Sequence, residues 1–530
     1  MTKYYSFGKK ITALLLLIVI CSPFSVSAEN DIQMLTNYFD LLSSYNFESA
    51  QYLWAKDCQE RSSRFGIQYD NIPLKIDCSS PIIINLDKMR NYLQPPVKNI
   101  IHLNPVYYSK LEYSNVVDNK LIKYYYYAYH QGKNSALIYH QDYYARDWPV
   151  KETKYFRIHY HPNIEAYINP IALEEADRFI EQMADSLELS PKDLQLFQDK
   201  KIEYYYCDDD QTVKEITGHL TKGTFDLPSN DIISAFFPHY HELVHFLINY
   251  KLHKLPLYTL PIIQEGIAVY YGGRWGKTPS VLMALGGFLY NEKIIQIDSI
   301  LPMNAFDNNN GSDIAYPVSG LFTAYLLHNM NLNDYLKLYL NLSGNFTDLV
   351  NMPDSAIKAT ILEATGGTSW DKFIADFDNF VDKKLKEQTN ILPGKIKQGQ
   401  SIIKNTNYNL TENNNWVALI YKSSNDTSSL AGNILFGLNP QLKGMKSSLF
   451  QSQYKDSIPF DGYRYGIRFD KNEAGLYDYA TNTLLAKYIW SITPSEDYYN
   501  KPEKTITFKI KKAVFDSILP TPSDYKLLPK

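Results

Sequence analysis

The chain has 530 residues, 45% of them hydrophobic and 21% charged, a composition that excludes wholesale disorder and leaves room for roughly two to four domains. Its 53 basic and 57 acidic residues give a formal charge of −4, which excludes a chain-wide electrostatic grip on nucleic acid. Tyrosine is the outlier at 45 residues; runs such as Tyr124 to Tyr127 suit half-buried strands or, alternatively, contact surfaces for peptides or sugars.

Residues 1–28 read as an export signal. Lys3, Lys9 and Lys10 give a positive start, Ile11 to Ile20 a short apolar run, and Val26-Ser27-Ala28 a small-residue cleavage site. As a helix the apolar run would span only ~15 Å, too short for a membrane, although an uncleaved anchor is the alternative. Ile20 stands before Cys21, where a lipoprotein signal wants a small residue, so lipidation is not expected. No other window approaches the ~20 apolar residues of a spanning helix. The expectation is a secreted or periplasmic protein with no stable membrane span. Cleavage leaves Cys58, Cys78 and Cys207; export permits disulfides, and Cys58 with Cys78 is the pair close in sequence. There is no Cys-x-x-Cys pair, so a thiolate metal site is not supported.

Along residues 29–150 the pattern predicts a helix over Asp31 to Trp54. Tyrosine-rich strands follow from Ser109 to Tyr144, broken at Asn115, Asp118-Asn119 and Gly132-Lys133-Asn134, which together make a small α+β module. A new unit, 151–392, opens with a strand at Lys154 to Tyr160 and a helix from about Pro170 to Leu187. A strand at Ile202 to Cys207, a helix at Thr212 to Leu220, a turn-rich stretch with Gly223 and Pro228, and a strand at Asp231 to Phe237 come next. Helices are expected at about Pro261 to Tyr271, Pro317 to Asn329, Leu332 to Leu340, Ser355 to Thr365 and Trp370 to Lys386. After about Gly394 the period falls to two, and residues 393–530 read as a β-rich domain.

The chemistry concentrates at His241-Glu242-Leu243-Val244-His245, in a helical, apolar setting with Pro238 suited to the first turn. Helical spacing puts His241 and His245 on one face, where both can point at one metal ion, and Glu242 falls close enough to take a proton from water at that metal. A catalytic zinc usually has three protein ligands and a water. Glu265, twenty residues on in Gln264-Glu265-Gly266-Ile267-Ala268, sits in an otherwise apolar helix where an unpaired carboxylate is costly. It is the candidate third ligand; the alternative is an ion pair, for example with Arg274. His239 and His253 read as incidental, and His328 as a surface helix residue.

His-Glu-x-x-His followed by Glu-Gly-x-Ala resembles the gluzincin metallopeptidases, the thermolysin-like, peptidase-MA-like group. Phe156 to Tyr160 resembles the opening strand of its small members, Ile294 to Leu301 their connecting segment, and Ala315-Tyr316-Pro317-Val318-Ser319-Gly320-Leu321-Phe322 their later helix. The resemblance spans about Thr153 to Lys386. It implies an α+β zincin domain with one zinc on His241, His245 and Glu265, and a zinc-bound water activated by Glu242 to attack a peptide carbonyl. Tyr316 falls where several relatives carry an oxyanion-binding Tyr; capping a helix entrance is its other reading. The chain lacks the Gly-x-Met-Glu-Asn-like segment of the aminopeptidases and carries Gly223 to Ser234 instead, so aminopeptidase action is not implied. Nor does it have the third His of the metzincins. The expected activity is endopeptidase cleavage of peptide or protein substrates, bound by strand addition beside Asp231 to Phe237. Alternatives are a surface or secreted binding protein on a zincin scaffold, or a zinc hydrolase of non-peptide amides or esters; an intact Glu242 argues against the first. A module ahead of the site could act as an inhibitory pro-segment, but no cysteine-switch motif is present.

Overall fold

The computed structural model describes residues 30–70, 72–78, 80, 83, 100–105, 108–117, 120–131, 134–308, 312–404, 406–423, 431–447, 462–488, 496–518 and 526–529. The expected leader, 1–28, lies outside them. The fold is mixed α+β, with several separate sheets. Among the described residues no helix is long and apolar enough to cross a membrane.

The first helix, α1 (30–43), stops short of the expected Trp54. Tyr45 takes a left-handed φ of 60°, and Asn46 then caps a separate short helix, Phe47–Gln51, by accepting the Ser49 N–H. The chain is broken there by a turn that the apolar periodicity does not register. α1 covers an antiparallel sheet in the order β1 (Ile100–Pro105), β2 (Tyr108–Val117), β3 (Lys120–Gln131), β4 (Asn134–Ile138). The tyrosine runs are strands, as their β-propensity implies: Tyr113 and Tyr126 of β2 and β3 close on Phe39 of α1 with ring centroids 4.7 and 5.5 Å apart. Cys58 and Cys78, like Cys207, are buried free thiols; no disulfide joins them.

The central unit is built on a five-stranded sheet. Its strands in chain order are β5 (Val150–Glu152), β6 (Phe156–Tyr160), β7 (Ile202–Tyr206), β8 (Gly223–Asp226) and β9 (Asp231–Ser234), arranged β5-β6-β7-β9-β8. β6, β7 and β9 run parallel, and β8 returns antiparallel to β9. All five residues of β7 are buried, the mark of a strand covered on both faces. Helix α2 (Pro170–Ser186) starts at Asn169, whose side chain accepts the Ala172 N–H, and buries Ala172, Ala176, Ile180 and Met183.

Two expectations fail here. The strand expected over Asp231 to Phe237 ends at Ser234 and is an inner strand, hydrogen-bonded on both sides, so nothing can add to it. The sheet edge belongs to β8, in the stretch read as turn-rich: four residues between Gly223 and Pro228 are too few for a period-two pattern to stand out.

After the sheet come α3 (Tyr240–Leu252), α4 (Pro261–Gly272), α5 (Pro279–Asn291) and α6 (Ser312–Asn329). α4 and α6 pack so tightly that a Cβ on Gly266 would lie 2.3 Å from Thr323 Oγ1 and 2.7 Å from the Ser319 carbonyl oxygen. Gly266 therefore sets the approach of the two helices. Residues 391–529 supply two further antiparallel sheets whose inner faces share one core, with Val417 and Phe508 from one and Ile434 and Phe469 from the other, the arrangement of a β-sandwich.

Candidate metal centre

α3 is the helix that carries the motif, and its surroundings are nearly all apolar: Leu243, Val244, Phe246 and Leu247 are fully buried. Pro238 does not sit in its first turn as expected. The helix begins at Tyr240 with His239 at the N-cap, and Pro238 precedes both. From α3, His241 and His245 face one point; from α4, Glu265 faces the same point. The His241 and His245 Nε2 atoms lie 3.2 Å apart, and Glu265 Oε2 lies 2.9 Å from the first and 3.3 Å from the second. Ligand atoms at roughly 2.0–2.1 Å around a tetrahedral ion are separated by about 3.3 Å, so the trio has the edge lengths of such a site.

Proton bookkeeping points the same way. His241 Nδ1 lies 2.9 Å from the Gly273 carbonyl oxygen, to which it can only donate. In the neutral ring that leaves the lone pair on Nε2 facing a carboxylate oxygen at 2.9 Å: two acceptors in contact, an arrangement that asks for a cation between them. Burial alone would raise the Glu265 carboxyl, but the two imidazoles, His245 foremost, hold it well below the usual carboxylate range. Burial likewise works against a charged His245, and the Glu265 carboxylate outweighs it and raises that imidazole. Glu265 is thus paired with the two histidines, and an Arg274–Glu265 ion pair is not formed. Among the described residues this is the one His/Cys/Asp/Glu group placed to hold a metal ion.

Glu242 lies beside the trio and is gripped by the sheet. The Phe225 N–H of β8 donates to Glu242 Oε2 at 2.9 Å. The other oxygen, Oε1, is 3.9 Å from His239 Nε2. His239 is therefore not incidental in position: its Nδ1 pairs with Ser234 Oγ at 2.8 Å, and Nε2 is buried with no hydrogen-bond partner among the described residues. Burial pulls its pKa down to about 4 despite Glu242, so it is neutral at pH 7. Gly223 makes room for it, since a Cβ there would lie 2.3 Å from His239 Nδ1.

Tyr316, near the start of α6, is brought to the centre by the Gly266 contact. Its ring is 5.9 Å from that of His241, and the Arg274 guanidinium lies over it, 3.4 Å from the ring centroid. His253 caps the far end of α3, and His328 is exposed on α6 with its ring 5.5 Å from Phe380; neither joins the site. Sequence reasoning missed the Phe225 amide, His239 and Arg274. A backbone donor leaves no side-chain signal, and the pairing of His239 with Ser234 exists because the chain folds back after β9. No protein-family model matches this chain and no curated protein matches it, so the geometry of these residues carries the functional reading.

Proposed function

We propose that the chain is an exported zinc-dependent endopeptidase built on gluzincin lines. The observation that carries this reading is the convergence of His241, His245 and Glu265 at tetrahedral spacing, with Glu242 alongside and the edge strand β8 next to it. When bound, the ion acts as a Lewis acid on the peptide carbonyl and makes water acidic enough to lose a proton near neutral pH. Glu242 takes that proton and passes it to the leaving amine. Its carboxylate is oriented for this by the Phe225 N–H, which fixes Oε2 and leaves Oε1 to take the proton. The Tyr316 hydroxyl donates to the oxygen that becomes negative as the carbonyl is attacked. An extended substrate lies along β8, the true edge, and draws affinity from main-chain hydrogen bonds.

The test combines metal content with cleavage. Protein purified without chelator is expected to hold about one zinc per chain. A diverse peptide library read by mass spectrometry should give internal cuts with wild type, reduced at least about 100-fold in Glu242→Gln, the usual worth of a general base. Zinc far below one per chain, or equal products from both proteins, would overturn the reading.

A further inference from the structure

Immediately after the metal-ligand helix α4, the chain makes a tight reversal at Arg274-Trp275-Gly276-Lys277. The Arg274 N–H donates to the Lys277 carbonyl at 3.0 Å and the Lys277 N–H to the Arg274 carbonyl at 2.9 Å. Both central residues have positive φ, 48° at Trp275 and 70° at Gly276. This is the backbone of a two-residue hairpin turn that favours Asn, Asp or Gly at its first central position. Tryptophan there is sterically costly, and such outliers persist where the surrounding structure over-determines them. Here the surroundings do: the Leu484 N–H donates to the Gly276 carbonyl, and the Thr278 N–H donates to Leu484, so the β-sandwich clamps the turn from outside.

What the turn displays is a stacked cation. The Arg274 guanidinium lies 3.8 Å over the Trp275 ring and 3.4 Å over the Tyr316 ring. The Lys222 ammonium is 5.9 Å over Trp275 and 5.3 Å over Phe236. Lys277 is held below its ordinary pKa by burial and, against the pull of Asp313, by Lys487, Arg274 and Lys222, so these cations share one local field. Asp210 tempers Lys222, and Glu473 pairs with Lys487 at 2.8 Å. Arg274 is the cation that stacks on Tyr316, whose ring in turn is 5.9 Å from His241. That places its guanidinium no more than about 9 Å from the His241 ring, a reach of up to three residues of extended chain at ~3.4 Å each. Stacking occupies the faces of a guanidinium, while its N–H donors lie in the plane as a fork that matches a carboxylate.

We propose that Arg274, held by Trp275 and Tyr316 and supported by Lys222 and Lys277, binds a substrate carboxylate within about three residues of the scissile bond. The inference rests on the peptidase reading above and names its substrate class: peptides carrying an acidic group near the cut. That carboxylate comes either from an Asp or Glu side chain or from the chain terminus.

Full-length zinc-loaded wild type, Arg274→Met and Arg274→Lys are compared on matched peptides with Asp or Glu exchanged for Asn or Gln, and with free or amidated C-termini. Wild type should favour the carboxylate member of one pair at least about tenfold in kcat/KM. Arg274→Met should lose that preference mainly through KM and be partly rescued by Arg274→Lys; the pair that responds identifies the source. A turnover-free arm measures binding of N-acetyl-alanyl-glutamate and of its diamide to Glu242→Gln protein by calorimetry, with and without Arg274→Met. Tighter binding of the acid, lost with Arg274, supports the anchor. Equal affinities, or a preference that survives Arg274→Met, overturn it. Cleavage without any carboxylate preference would sink the anchor and leave the peptidase reading standing; carboxylate binding lost in Arg274→Met without cleavage by wild type would do the reverse.

Discussion

At the scale of single residues, the site is a set of side chains whose protons are already assigned. Gly273 fixes the His241 tautomer, Phe225 fixes one oxygen of Glu242, and burial keeps His239 neutral. Tyr316 is where two roles can be separated, because its ring supports Arg274 while its hydroxyl is the proposed oxyanion donor. Tyr316→Phe keeps the ring and removes the hydroxyl. Steady-state kinetics should show kcat down about 100- to 1000-fold with little change in KM, the signature of a donor used only in the transition state. Unchanged kcat would reduce Tyr316 to a platform for Arg274. The metal trio and Glu242 were legible in the sequence because helical spacing of i and i+4 and a lone acid in an apolar helix are local signals. His239 was not, since the adjacent motif histidine drew the geometric argument and its own partners arise from the fold.

At the scale of elements, the β8–β9 hairpin decides where a substrate can lie, and its turn is gripped from the N-terminal module. Arg64 donates to the Ser229 and Asn230 carbonyls and pairs with Asp231 at 2.9 Å; Lys75 donates to the Leu227 and Pro228 carbonyls; Gln141 reaches Ser229 Oγ and Asp231. Asp231 is fully buried, which would raise its carboxyl, yet Arg61 and Arg64 hold it below the ordinary range. Its contribution to stability is therefore present above its unfolded value and lost as pH falls through the lower folded one. Asp231→Asn leaves buried guanidiniums short of a counter-charge. Urea unfolding should register a loss of roughly 3 kcal/mol, and hydrogen exchange at the Phe225 amide should quicken as the hairpin loosens. The hairpin was the least legible element: the four residues of β8 ahead of a Pro-Ser-Asn turn read as turn, the strand from Asp231 was expected to run on to Phe237, and neither edge nor inner position is encoded by period. The long helices α2, α4 and α6 were legible because their apolar stripes run for several turns.

At the scale of the whole molecule, the flanking parts hold the central unit at different points. The N-terminal module takes the hairpin turn. The sandwich takes the main chain on either side of the His241, His245 and Glu265 cluster: Asn482 Nδ2 donates to the Phe237 carbonyl just ahead of α3, and Leu484 pairs with the turn after α4. The module's own core contains a pH-sensitive group. Asp77 is buried between the Tyr38 and Tyr126 hydroxyls, at 3.0 and 3.1 Å, and burial outweighs those donors to push its pKa up to about 7. Between about pH 4 and pH 7 the folded state keeps a proton that the unfolded state has released, so this carboxyl's contribution to stability falls as pH rises through that window. Chemical denaturation at both pH values should show Asp77→Asn removing a fall on the order of 3–4 kcal/mol from wild type. Equal pH dependence in the two proteins would place the Asp77 proton elsewhere. None of these contacts was legible beforehand, since Arg64, Lys75 and Asn482 look in the sequence like ordinary surface residues.

The way the sandwich docks has a consequence for diversification. Asn482 and Leu484 recognise the carbonyls and amides of Phe237, Gly276 and Thr278, and main-chain atoms are the same whatever side chains accompany them. The scaffold is therefore blind to the identities at 274 and 275, the two positions that present the stacked cation to the cleft. Those residues can drift, or be randomised in the laboratory, without undoing the attachment that shapes the reversal. The protein separates the part that must stay constant from the part that chooses a ligand, and so carries a built-in position for altering what it recognises.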